Sequence, residues 1–372
     1  MILEGQTAYY SKYMILTNDP NVKKLYNYTT MQEISIEDFT LGGASYNPVE
    51  DREGKIYYIT DVTLHRNGEL LSQIDTSNLI KNPLYYDSKT DSLWLASFES
   101  NFAVKFLVFK NPSAATSNPN PYKISYEDSF PGITSCQAFA VKEDNIYIAY
   151  NNSNILLAKK NTYISNTKAT ITLSNITPAL SGEVTDMAVL EDGTVAVLVR
   201  SIGVTSETKV FDYTVLNDKD TVYSRGALVL LSSDLSKVEK VLGWTDSPRT
   251  ISATGEDTEN SVKEWTSIEA YIPEYEERGT HFYGPVKIVA IRPKELVIAD
   301  CGANFVLPDY DGKKNGKIYA HNRLMTVNLR NFAIGCKKEF SESELKFHNL
   351  TISGGIEATS SSPYYGNYVD EK

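Results

Sequence analysis

Apolar and polar positions along this chain fall into short alternating runs, and the runs come in pairs. Gly284–Cys301 is the clearest case: PVKIVAI, a tight Arg292-Pro293-Lys294 turn, then ELVIAD. The figure recurs at Val184–Val199 (VTDMAVLEDGTVAVLV), Ser135–Tyr150 (SCQAFAVKEDNIYIAY), Asn82–Ser97 (NPLYYDSKTDSLWLAS) and Ser45–Asp61 (SYNPVEDREGKIYYITD). Period-two alternation rich in Val, Ile, Tyr and Trp, broken by acidic or Gly/Asn turns, predicts paired β-strands.

Two further strands are expected after most pairs. VTLHRNG and ELLSQIDT follow the Ser45 copy around Asn67-Gly68, a dipeptide suited to a two-residue hairpin. ILLAKKN and ATITLSN follow the Ser135 copy, and GALVLLSSD and KVEKVLGWTD the Val184 copy. KIYAHNR and MTVNLRNF are read as the third and fourth strands of the Gly284 copy. Four strands repeated every ~40–50 residues predict an all-β chain folded as a β-propeller. The count is six four-stranded blades, at about 1–39, 40–78, 79–126, 127–175, 176–247 and 248–344. The first holds three strands (YMILTN, VKKLYNYTT, QEISIED), so Leu345–Ile356 is expected to supply the missing one and close the ring by pairing the two ends. The single propeller domain then spans 1–356, and 357–372 is a loose tail. Asn260–Ala270 is the best helix candidate. Asn111–Asp128, Ser201–Arg225 and Asp246–Tyr283 interrupt the period, and interruptions of that length in a repeat fold commonly carry function.

Composition narrows the class. The 372 residues are 41% hydrophobic and 22% charged, enough for a large core. With 36 Lys+Arg against 47 Asp+Glu the net charge is −11, which repels phosphate backbones, so no nucleic-acid partner is expected. No apolar run approaches the ~20 residues of a membrane-spanning helix. Twenty-five tyrosines and Asn/Ser/Thr-rich loops suit an exported protein. An extracytoplasmic location is therefore expected, periplasmic or at the cell surface, with any export signal or lipid anchor on an N-terminus missing from this chain. Of the three cysteines, Cys301 and Cys336 fall in one repeat and would be bridged in an oxidising compartment; buried thiols are the alternative.

The Gly284 copy, with its Pro-led first strand, turn, and second strand ending Ala299-Asp300, resembles an NHL repeat; the Ser45 copy ends Thr60-Asp61 in the same way. The resemblance covers about residues 40–340 and implies a six-bladed propeller. It spans binding modules and scaffolds and neighbours calcium-dependent lactonases, so it implies fold rather than activity.

Candidate chemistry follows from the alignment of turns. Ser45, Asn82, Ala138, Asp186 and Lys287 fall at one level of the first strands, which line a propeller channel. Ser45, Asn82, Asp186 and Lys287 would form a polar ring that binds a ligand, or Asp186 and Lys287 would pair across neighbouring blades. Asp61 and Asp300 could offer hard oxygens to Ca²⁺ or hold the adjacent turn; no other cofactor is indicated. No Walker A loop, H-E-x-x-H or G-x-S-x-G occurs, so no catalytic residue is assigned. Trp265, Tyr271, Tyr275 and His281 in the longest interruption suit recognition by large, stiff side chains. The expected function is a non-catalytic binding or scaffold propeller engaging a protein or glycan through long loops on one face. A metal-dependent hydrolase or lactonase at the channel mouth is the alternative, so catalysis is left open.

Overall fold

A β-sheet whose two faces are both apolar must be covered on both sides, and here consecutive four-stranded sheets pack on one another. The computed structural model describes residues 13–15, 24–27, 32–35, 49–51, 53, 55–60, 63–66, 69–73, 83–98, 103–114, 124–131, 133–159, 169–205, 221–244, 249–251, 268–270, 281–306 and 317–339. A three-stranded sheet comes first: β1 (Tyr13–Ile15), β2 (Lys24–Asn27) and β3 (Gln32–Ser35). A four-stranded sheet follows, opened by a two-residue strand: β4 (Val49–Glu50), β5 (Ile56–Thr60), β6 (Thr63–Arg66) and β7 (Glu69–Gln73). The next contains β8 (Leu84–Asp87), β9 (Ser92–Phe98), β10 (Ala103–Lys110) and β11 (Ile124–Pro131). Then come β12 (Cys136–Lys142), β13 (Asn145–Tyr150), β14 (Asn154–Lys159) and β15 (Ala169–Thr172). The sheet after it holds β16 (Glu183–Val189), β17 (Val195–Thr205), β18 (Thr221–Leu231) and β19 (Val238–Leu242). A small hairpin, β20 (Arg249–Ile251) and β21 (Ile268–Ala270), precedes the last sheet. That sheet holds β22 (Pro285–Arg292), β23 (Glu295–Val306), β24 (Lys317–Asn328) and β25 (Ile334–Glu339).

Among the described strands every ladder is antiparallel and joins consecutive strands, and the first strands β4, β8, β12, β16 and β22 neighbour one another in turn. This is an all-β propeller arrangement. The six-blade count is not met: the described residues form five four-stranded sheets, and the N-terminal sheet stops at three strands. The closing strand expected at Leu345–Ile356 lies outside the described residues. The helix expected at Asn260–Ala270 is overturned at its end, where Ile268–Ala270 pairs with Arg249–Ile251 as β21. The third and fourth strands read as KIYAHNR and MTVNLRNF are one continuous strand, β24, and the fourth is β25. Arg323, expected at the end of the third strand, is 4% exposed and stays in register opposite Asp300, so the strand runs on. β11 likewise begins inside a stretch read as an interruption, at Ile124.

Alternation assigns successive residues of one strand to different cores. Met187, Val189, Val195, Val197, Val199, Val229 and Leu231 pack toward β12–β15. Their immediate neighbours Ala188, Leu190, Ala196, Leu198, Leu228 and Leu230 pack with Ile288, Leu296 and Ile298 of the last sheet. In β8–β10 the same parity sends Tyr85, Trp94 and Phe106 one way and Leu84, Tyr86, Leu93 and Leu95 the other. Middle strands of a blade therefore read as unbroken apolar runs, as sheets covered on both faces do. Rings meet across the joints: Phe106 and Phe139 centroids are 4.7 Å apart, and Tyr85 and Phe139 5.9 Å. Directed bonds fix each joint too: Arg66 Nη1 donates to Pro112 O, Tyr85 Oη to Val141 O and Tyr147 Oη to Ser233 O, at 2.9, 3.0 and 2.7 Å.

Candidate functional site

Strand direction sorts the connections onto two faces. First-to-second strand turns and third-to-fourth connections lie at one end of the sheets, here the turn face. Second-to-third connections and those between sheets lie at the other, the loop face. At the turn face, aspartates hold the tight turns by accepting backbone N–H groups. Asp51 Oδ1 receives Glu53 N and Lys55 N at 2.8 and 2.9 Å, Asp87 Oδ1 receives Lys89 N at 3.1 Å, and Asp192 Oδ1 receives Thr194 N at 2.9 Å.

The channel-lining residues are placed by bulges. One extra residue interrupts the first strand just before Ala138, Asp186 and Lys287, so these three are equivalent by register. Asp186 and Lys287 come together: Lys287 Nζ lies 3.3 Å from Asp186 Oδ1, and Ile288 N donates to Asp186 Oδ2 at 2.8 Å. Thr185 Oγ1 adds a bond to Pro285 O at 2.8 Å. Their polar atoms join two blades. Ser45 and Asn82 lie outside the described residues, as do Asp61, Trp265, Tyr271 and Tyr275.

Asp300 is fully buried, and donors surround its carboxylate: Tyr283 N at 3.1 Å, Gly284 N at 2.7 Å and the Arg323 guanidinium. Arg323 also donates to His281 O at 2.9 Å and lies over the Tyr283 ring at 4.4 Å. A carboxylate enclosed by N–H groups and a cation holds the strand entry; it is not arranged to meet Ca²⁺. His281 is thereby tied to this cluster through its carbonyl.

The expected Cys301–Cys336 bridge is overturned by register. Cys301 pairs with Asn322 and Cys336 with Met325 on the strand between them. The two backbones are two strands apart, roughly 10 Å, and offset by three residues, roughly 10 Å more. A disulfide needs Cα atoms within about 7 Å. Cys136 is buried, which pushes its thiol pKa up, while Cys336 is exposed.

Sequence reading missed a cavity of about 620 Å³ at the turn face. Its axial half is lined by the turn residues Asp87, Lys89, Lys142, Glu143, Glu191 and Asp192. Lys142 Nζ donates to Leu190 O and Glu191 O, both at 2.6 Å; burial lowers its pKa against the pull of Asp192, Glu143 and Glu191. Lys89 Nζ pairs with Glu143 at 3.0 Å. The rest of the lining combines Leu190, Leu230, Ile291, Leu329 and Phe332 of the last two four-stranded sheets with Glu239, Arg292 and Arg330. The signal was available: acidic turns Glu143-Asp144 and Glu191-Asp192 recur in the repeats, and a propeller brings such turns to one mouth.

The loop face carries the irregular elements. β17 and β18 stay paired out to Thr205 and Thr221, and β23 and β24 out to Val306 and Lys317. By contrast β13 and β14 pair over six residues. β21, in the connection that leads to β22, sits against β17.

These two elaborated sheets fall within residues 161–350, which match the family model described as the TdpA C-terminal domain. The chain belongs to that family. No curated protein matches it. Among solved structures, a protein of unknown function from Bacteroides caccae shares 10% identity over 90% of this chain and 95% of that one, with a TM-score of 0.48. A putative TolB from Agrobacterium tumefaciens shares 7% identity over 85% and 88%, TM-score 0.43. A putative gluconolactonase shares 7% over 86% and 92%, TM-score 0.39. The part of the chain that the family model matches thus holds both extended hairpins. Among the described residues no group of three or more His, Cys, Asp or Glu is placed to hold a metal ion, and no helix is long and apolar enough to cross a membrane.

Proposed function

We propose that this chain is a binding propeller that engages a macromolecular partner, protein or glycan, at its loop face outside the cytoplasm. The single observation that carries the reading is the pair of extended hairpins, β17–β18 and β23–β24, on consecutive four-stranded sheets. Each runs past the last residue that β16 or β22 pairs with, Arg200 and Asp300 respectively. Strand length beyond what a blade needs adds no shared core, so a reason for it must lie outside the blade. Asp300 holding the entry to its own first strand supports an NHL-like blade. The channel residues Asp186 and Lys287 are scaffold in this reading, since their charges are used between blades.

Photo-cross-linking in the native host tests it. Benzoylphenylalanine placed at Val204 or Phe305 is expected to give a discrete high-mass adduct, and at Lys89 on the turn face none. Protease sensitivity of the adduct separates protein from glycan. Adducts at neither loop-face position, or at Lys89 alone, would sink the proposal.

A further inference from the structure

The turn-face cavity lies at the opposite end of the sheets from the loop-face surface, and a ligand there does not require that surface. At about 620 Å³ it is within the ~300–1,000 Å³ typical of small-molecule sites. Leu230, Ile291, Leu329 and Phe332, from the last two four-stranded sheets, give it an apolar wall. Charged side chains of both signs surround that wall. The sign left over after they have paired with one another decides which head group the cavity accepts.

The carboxylates are all engaged. Asp87 is buried, with Oδ1 on Lys89 N and Oδ2 on Thr90 Oγ1 inside its own turn. Glu143 holds Lys89 Nζ at 3.0 Å. Glu191 and Asp192 both act on Lys142, and Asp192 Oδ1 also receives Thr194 N. Glu239 holds Lys237 Nζ at 2.8 Å, and Glu295 holds Arg292 Nη1 at 2.8 Å.

The cations are in surplus. Arg330 lines the cavity from the turn between β24 and β25; it is exposed, and among the described residues its guanidinium forms no ion pair. Lys294 stands beside it, because Leu329 N donates to Lys294 O at 2.9 Å and so joins the β22–β23 turn to the β24–β25 turn. Its exposed ammonium likewise forms no ion pair among the described residues. Lys240 approaches from β19, its Nζ 5.2 Å from the centroid of the Phe332 ring. On a chain of net charge −11, these three cations make a local surplus of the opposite sign at the edge of the apolar wall. A guanidinium fork can meet a carboxylate through two parallel bonds.

We propose that this cavity binds a small amphipathic carboxylate, its hydrocarbon part against Leu230, Ile291, Leu329 and Phe332 and its head at Arg330 and Lys294. Calorimetric titration with octanoate, octylammonium and butyrate at monomeric concentrations tests this. Octanoate is expected to bind saturably at one site. Octylammonium should bind at least about fivefold more weakly, the effect of about one unscreened charge contact in water. Butyrate, too short to cover the apolar wall, should bind about tenfold more weakly or worse. The double variant Lys294→Gln/Arg330→Gln changes only exposed turn positions, so its melting curve should be unchanged. It should lose about fivefold or more in octanoate affinity. No saturable octanoate binding, equal affinity for octylammonium or for butyrate, or an unaffected double variant would overturn the assignment.

Discussion

Replacing Asp300 with Asn tests how the last sheet is anchored. The carboxylate is fully buried, neutralises Arg323, and accepts Tyr283 N and Gly284 N. Asparagine fits the space but leaves the Arg323 cation, 4% exposed, without a counter-charge, and turns an amide NH₂ toward backbone donors. Removing one partner of a buried pair costs about 3–5 kcal/mol. Those N–H bonds belong to the same network, so their loss is counted within that range rather than added to it. Unfolding entropy of about 2.1 cal/mol/K per residue gives roughly 0.8 kcal/mol/K for 372 residues. A loss of about 4 kcal/mol thus lowers Tm by about 5 °C. Thermal unfolding followed by circular dichroism measures it, with Arg323→Met and the double variant completing a cycle. The double variant should be at least about 2 kcal/mol less destabilised than the sum of the singles, since it removes the stranded charge. A single-variant shift under 1 °C, or strict additivity, refutes the reasoning.

Asp186→Ala should cost about 1–3 kcal/mol by leaving Ile288 N without its acceptor, and hydrogen exchange at that amide should quicken while Asp186→Asn largely preserves it. Gly226→Ala would place a Cβ 2.1 Å from Pro285 Cδ, so denaturant unfolding should show a loss of about 1–3 kcal/mol or more. In a Cys301→Ser background, Ellman's reagent should label the exposed Cys336 quickly and Cys136 only on unfolding. Because burial raises the Cys136 pKa, folding favours the neutral thiol; that contribution is complete below the unfolded value of about 8.5 and declines as pH rises above it. A Cys136→Ala comparison across pH 7 to 10 measures the difference.

Residues whose role is local announced themselves in the sequence. β6 and β7 pair antiparallel on either side of Asn67-Gly68, where a hairpin was expected, and the alternation around Glu143-Asp144 marks β12 and β13. The level of Ala138, Asp186 and Lys287 was legible because the same bulge recurs in β12, β16 and β22 and leaves the spacing to the turn equivalent. Roles fixed by distant partners were hidden. Arg323 was assigned no role because nothing nearby in sequence reveals that Asp300, twenty-three residues earlier, neutralises it. The bridge between Cys301 and Cys336 looked plausible because sequence separation does not report that β24 lies between them. Of the turn-face cavity only the acidic turns were signalled by the repeats; its other walls were hidden for the same reason, coming from segments as far apart as Leu230 and Phe332.

The odd–even division of each strand has a consequence for how damage spreads. Val197 and Leu198 are covalent neighbours, yet they serve separate interiors and should be energetically insulated: truncating both ought to cost the sum of the two. Leu198 and Ile298 stand a hundred residues apart but share one interior, so their truncations should compound non-additively. Proximity along the chain is a poor guide to epistasis here; parity is the better one.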